Sequence, residues 1–229
     1  ETWIEKIVNS IDTDRIRIVE ASEGIKLSKH TEDEHQEHEQ QEHGQHEHEE
    51  HNHAGEYDPH VWVSPLRAKQ QAENIFKALA EVDPANRDYY EKNHKELQLR
   101  LDKLDSDIRE ASKEFKSNVI VVSHAAFGYF AQDYGLKQIA IRGVNPGDEP
   151  SPSQMGKLAD ICREYGVKYI FFEKLTSPKL SETLAKEIGA GTLVLNDAAG
   201  IGQEDIEAGK DYISVMYENI ENLKKALSE

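Results

Sequence analysis

The chain has 229 residues, 37% hydrophobic and 31% charged, with a formal net charge of −17. That length buries a real core as one large domain or two modest ones, and so negative a field repels nucleic acid and anionic membrane surfaces while attracting cations, which excludes DNA and RNA binding. Cys162 is the single cysteine, so no intramolecular disulfide forms and the compartment stays open, and no apolar run is long enough to cross a bilayer.

Trp3, Ile4, Ile7, Val8 and Ile11 fall at helical spacing, so residues 1–11 read as an amphipathic helix. Glu1-Thr2-Trp3-Ile4 reads as the middle of that helix and carries no initiator Met, which predicts a chain truncated at its N-terminus. Ile16-Arg17-Ile18-Val19 reads as a short strand, and a low-complexity tract runs from about Ser28 to Gly55. Asp58-Pro59-His60-Val61-Trp62 then leads into a helix from about Pro65 to Leu79. Asp83-Pro84 supplies an N-cap and first-turn pair for the next helix, which can run to about Phe115. Leu97, Leu101, Leu104, Ile108 and Phe115 form its one apolar stripe, and its other faces are charged. Such length with so narrow a stripe suits a strut between two lobes.

Beyond Asn118 the pattern changes to alternating strands and helices. Apolar runs at 119–122, 138–141, 168–172 and 192–195 read as strands, and 125–134, 153–165, 178–188 and 211–227 as helices. This alternation predicts an α/β fold with a parallel sheet, whose ligands sit at the carboxyl ends of the strands.

Three polar residues lie just past those strands: His124, Glu173 and Asp197. Each has a plain alternative, since His124 could cap or pack, Glu173 could pair with a neighbouring lysine, and Asp197 could cap the next segment. One edge of the sheet nevertheless brings the three together, and a histidine converging with carboxylates is a set that zinc or manganese accepts. His60 adds a second imidazole from the other side of the strut.

The tract is the strongest compositional signal. Residues 32–56 hold ten acidic residues and no Lys or Arg, and eight of the eleven histidines lie between His30 and His53. Interleaved with glutamate, His35, His38, His43, His46, His48, His51 and His53 offer overlapping sites for zinc, copper or nickel. A loop that serves only solubility has no need of histidine. The irregular spacing predicts weak, fluxional sites, which ligand protonation weakens further as pH falls. No two histidines are four residues apart, so a His-Glu-x-x-His zincin is excluded, and there is neither a Gly-x-Ser-x-Gly elbow nor a phosphate-binding Gly-x-x-x-x-Gly-Lys loop. Cys162, beside Ile161 in a helix, reads as packing rather than a nucleophile. Catalysis finds no support.

Asp58-Pro59-His60-Val61-Trp62-Val63-Ser64-Pro65 and Ser123-His124-Ala125-Ala126-Phe127-Gly128-Tyr129-Phe130 resemble signatures of the zinc- and manganese-specific solute-binding proteins of bacterial ABC transporters. Pro150-Ser151-Pro152-Ser153, Phe171-Phe172-Glu173 and Asp211-Tyr212-Ile213-Ser214-Val215-Met216 fit the same family, as does an acidic His-rich insertion before Asp-Pro-His. The resemblance spans essentially the whole chain. It implies two α/β lobes bridged by one long rigid helix, with small closure and the metal held between the lobes. The expected division is 1–83 for the remainder of an N-terminal lobe with its His/Glu-rich loop at 28–55, 84–117 for the linking helix, and 118–229 for the C-terminal lobe.

The family's ligand set carries over as His60 and His124, with a first ligand expected upstream of Glu1 and a late carboxylate as the fourth. His124, where manganese members tend to carry glutamate, favours Zn2+ over Mn2+. For the fourth position Ala199 occupies the place of the zinc branch's glutamate, and Asp197 resembles the aspartate of the manganese branch. Asp197 is the choice, with water or Glu173 as alternatives; Glu173 otherwise orients His124 from behind. The resemblance implies a monomer, outside the cytoplasmic membrane as a surface lipoprotein or in a periplasm. It captures Zn2+ and delivers it to the membrane subunits of an ABC permease. The competing reading is a zinc reservoir or metallochaperone in which the His-rich tract is the functional element.

Overall fold

Among the residues that the computed structural model describes, 4–12, 15–29, 57–144 and 149–228, three α-helices precede the sheet. They are α1 (Ile4–Val8), α2 (Pro65–Val82) and α3 (Arg87–Lys113). Pro65 opens α2 where a missing N–H costs nothing. A 3-10 turn at Pro84–Asn86 separates α2 from α3. Asp83 stands at its N-cap position, but its carboxylate accepts from the Asn86 amide and the Tyr90 hydroxyl rather than from backbone.

The four apolar runs become β1 (Val119–His124), β2 (Lys137–Arg142), β3 (Tyr169–Phe172) and β4 (Gly191–Val194). Their connections are α4 (Gly128–Tyr134), α5 (Pro152–Glu164) and α6 (Lys179–Ile188), with α7 (Gln203–Glu207) and α8 (Tyr212–Leu227) closing the chain. All pairs are parallel and the order is β2-β1-β3-β4, with Val121 opposite both Ile139 and Ile170, and Phe171 opposite Leu193.

Each side chain of β1 is buried, and the strand's period of two sorts them into two cores. Val119 and Val121 join Leu158, Cys162 and Leu184 of α5 and α6 on one face. Ile120 and Val122 join Leu101, Leu104 and Ile108 of α3 and Met216, Ile220 and Leu223 of α8 on the other. The apolar stripe of α3 therefore does more than strut: its C-terminal half is part of the sheet's core, while its N-terminal half lies against α2.

Two expectations need correction. Residues 16–19 form no strand; Ile16 and Ile18 are 51% and 46% exposed, and no described segment runs alongside to complete a ladder. The helix expected from 125 starts instead at Gly128, because β1 continues through His124 and the Ala126 N–H closes a tight turn on the His124 carbonyl at 2.9 Å. The first helix, expected over 1–11, ends at Val8, with residues 1–3 outside the described ones, and α7 was not expected.

This order creates the site. From β1 the chain moves outward to β2, then crosses to β3 on the opposite flank of β1. The crevice between the carboxyl ends of β1 and β3 is where a doubly wound sheet leaves room for a ligand.

Candidate metal site

His124 is the last residue of β1, and Glu173 comes immediately after β3, so the two meet at that crevice. Both are buried, and the His124 Nδ1–H donates to Glu173 Oε1 at 2.5 Å. A second donor reaches the same oxygen, the Ser123 hydroxyl, also at 2.5 Å. A carboxylate only accepts, so when the ring is neutral its proton sits on Nδ1 and Nε2 keeps its lone pair. Glu173 thus pairs with His124, while the adjacent Lys174 goes to Asp205.

His60 repeats the device. Asp58 accepts from the His60 backbone N–H at 2.9 Å and from its Nδ1–H at 2.8 Å through one oxygen, Oδ1. Asp58 is itself held: its N–H donates to the Ser28 carbonyl, and its own carbonyl accepts from the Tyr129 hydroxyl at 2.7 Å. Its other carboxylate oxygen would lie 3.0 Å from a Cβ on Gly128, so a larger residue at the start of α4 would press on the Asp58 carboxylate. Arg67 of α2 stacks 4.4 Å from the Tyr129 ring and binds Asp133 of α4 through two nitrogens, at 2.8 and 2.9 Å, which ties the His60 segment to the sheet. The His60 and His124 rings stand edge to face, 5.3 Å between centroids. Among the described residues no hydrogen bond occupies Nε2 of either ring.

Asp197 lies three residues past β4. Its Oδ1 accepts from the Ala199 N–H at 3.1 Å, so it caps a turn and no helix. Ala198 holds φ of 57°, and its N–H bonds Asn196 Oδ1. Ligand atoms of His124, Glu173 and Asp197 all lie within 4.8 Å of one another, a grouping that could hold a metal ion. Three of the four residues singled out past strand ends or in Asp-Pro-His share that grouping; His60 lies outside it and meets it through the edge-to-face contact with His124. Sequence reasoning gave no role to Asp58, Trp62, Gly128 or Asn219. Asp58 had a readable signal, since an aspartate two residues before a histidine can close an Asx turn on its backbone.

The chain leaves the described region after Lys29 and returns at Tyr57, and these two residues pair in an isolated antiparallel bridge next to Asp58. Residues 30–56, and with them His35, His38, His43, His46, His48, His51 and His53, lie outside the described residues. No described helix is long and apolar enough to cross a membrane. Cys162 is fully buried in α5, and burial pushes its thiol up to about 11, the state of a packing cysteine.

Residues 1–226 match the family model described as zinc-uptake complex component A, periplasmic. The chain belongs to this family. It is 42% identical over 227 residues to the high-affinity zinc uptake system protein ZnuA of Bacillus subtilis, covering 99% of this chain and 69% of that protein. It is 37% identical over 229 residues to the zinc-binding lipoprotein AdcA of Streptococcus pneumoniae, of which it spans 44%. Among solved structures, the Zn(II)-bound ZnuA-like domain of Streptococcus pneumoniae AdcA superposes with a TM-score of 0.76 at 34% identity, over 100% of this chain and 77% of that one. The parallel α/β sheet and the long α3 are thus those of a zinc-uptake component.

Proposed function

We propose that this protein captures Zn2+ outside the cytoplasmic membrane, on a cell surface or in a periplasm, and hands it as a monomer to the membrane subunits of an ABC permease. His60 and His124 are the imidazole ligands and Asp197 the carboxylate; Glu173 and Asp58 stand behind the two rings. The role is binding and delivery, with no chemical turnover. One observation carries the reading: two buried imidazoles 5.3 Å apart, each with Nδ1 held by a carboxylate. That arrangement presets the tautomer and orientation a zinc site needs. Two imidazoles with one carboxylate suit zinc, whereas Mn2+ favours a larger share of oxygen donors.

His60 belongs to residues 1–83, which form one metal-binding lobe, and His124 with Asp197 to the lobe of residues 118–229, with 84–117 as the link. Because α3 packs into the sheet core at one end and against α2 at the other, the two parts move little against each other, and release relies on the permease to unseat a ligand. The histidines of the tract gather zinc at lower affinity.

The test is zinc affinity in H60A, H124A, D197A and E173Q. The first three should lose more than E173Q, whose loss of an orienting partner should cost about 10–100-fold. Unchanged affinity in both H60A and H124A would overturn the assignment, and unchanged affinity in D197A would pass the carboxylate position to Glu173 or water.

A further inference from the structure

Trp62 lies two residues beyond His60, and its bonds reach the opposite side of the site. Its Nε1–H donates to the Asp197 carbonyl at 2.9 Å, across 135 residues of chain. Its ring stands 5.4 Å from that of His60, and its own carbonyl accepts from the Tyr212 hydroxyl at 2.8 Å. Burial raises the pKa of that hydroxyl, which keeps it a donor. The Asp197 turn is gripped from its far side as well: the buried Asn219 accepts from the Asn196 N–H at 2.8 Å and donates to the Asn196 carbonyl at 2.7 Å. Asp197 is therefore fixed at its backbone, from the His60 segment on one side and from α8 on the other. Its carboxylate spends Oδ1 on the Ala199 N–H, and no hydrogen bond within the described residues occupies Oδ2.

We propose that Trp62 is a positioning residue that straps the His60 segment to the Asp197 turn and thereby sets the spacing of the donors and the preference for zinc over manganese. The inference rests on the reading of His60, His124 and Asp197 as ligands. Zinc accepts four donors in a compact tetrahedron, and an oxygen-loving ion such as manganese takes six in an octahedron. Donors strapped at one spacing cannot spread to admit the extra waters that six-coordination requires. The strap runs through the Asp197 main chain, so it fixes where the carboxylate starts without consuming it.

W62F keeps an aromatic ring beside His60 and removes the N–H; Y212F removes the hydroxyl that anchors Trp62 from α8. Zinc and manganese affinities would be measured by chelator competition, with the visible absorption of the cobalt(II)-loaded protein as a report of coordination geometry. W62F should weaken zinc roughly three- to tenfold, the worth of one hydrogen bond. Manganese should weaken less, and cobalt absorption should fall toward the weak bands of a six-coordinate ion. Y212F should shift each quantity the same way by a smaller factor, and it decides the matter if thermal melting shows W62F unfolded. Parent-like zinc affinity and cobalt spectrum in the folded variants, or an equal loss for zinc and manganese, overturns the proposal. Those outcomes leave the ligand assignment standing, because that fails only if H60A and H124A bind zinc as the parent does.

Discussion

At His60 the chain uses a side chain two residues upstream to fix both backbone and ring, since Asp58 Oδ1 accepts from each. Glu173 does the same for His124 from a different strand, with Ser123 as a second donor. The contrast explains what could be read from sequence. Asp58 is local to its histidine, whereas Glu173 reaches His124 only because β1 and β3 are neighbours. D58A should release both the backbone N–H and the ring of His60, weakening zinc by about 10–100-fold as measured by chelator competition. An affinity within twofold of the parent would show that the His60 ring needs no such partner. Glu173's place behind His124 came from the family resemblance, whereas Trp62 and Asn219 were illegible, because they act on Asp197 and Asn196 from positions far apart in sequence.

Among the elements, those with strong local patterns were readable and those that depend on a neighbour were not. The run at 119–122 is continuous and β-branched and became a fully buried strand, and 138–141 alternates and became a parallel strand with Ile139 and Ile141 buried. Ile16-Arg17-Ile18-Val19 has the same alternation but no partner strand among the described residues, so propensity alone left it unpaired. The segment after β4 depends on charge rather than apolar pattern. Asp205 at α7 accepts from Lys174 at 2.5 Å and from Lys210 at 2.9 Å, binding the loop beyond Asp197 to the residue next to Glu173. The Lys174 bond first, then that of Lys210, holds the Asp205 carboxyl below its usual range. A carboxyl lowered by folding stabilises at neutral pH and loses that contribution as pH falls through its folded value. D205N should therefore melt below the parent at pH 7, and the gap should close as pH drops below about 4. A gap that persists unchanged in acid would mean the cluster acts by shape rather than charge.

For the whole molecule, the sheet order β2-β1-β3-β4 is what turns separate residues into one site, by opening a crevice at the ends of β1 and β3. Alternating strands and helices announced the parallel sheet, and with it the place to look, but not which strands would be neighbours. The net charge of −17 is uneven, since ten of the acidic residues fall within 32–56. Two elements consequently compete for the proposed zinc-binding role, the His60–His124–Asp197 crevice and the His-rich tract. The most direct test is a chelator-competition zinc titration of the parent, of a form lacking residues 32–55, and of H60A/H124A. One tight site should survive deletion of the tract and disappear in H60A/H124A, with only weaker sites lost on deletion. Tight binding that disappears with the tract and persists in H60A/H124A would contradict that and make the tract the functional zinc reservoir.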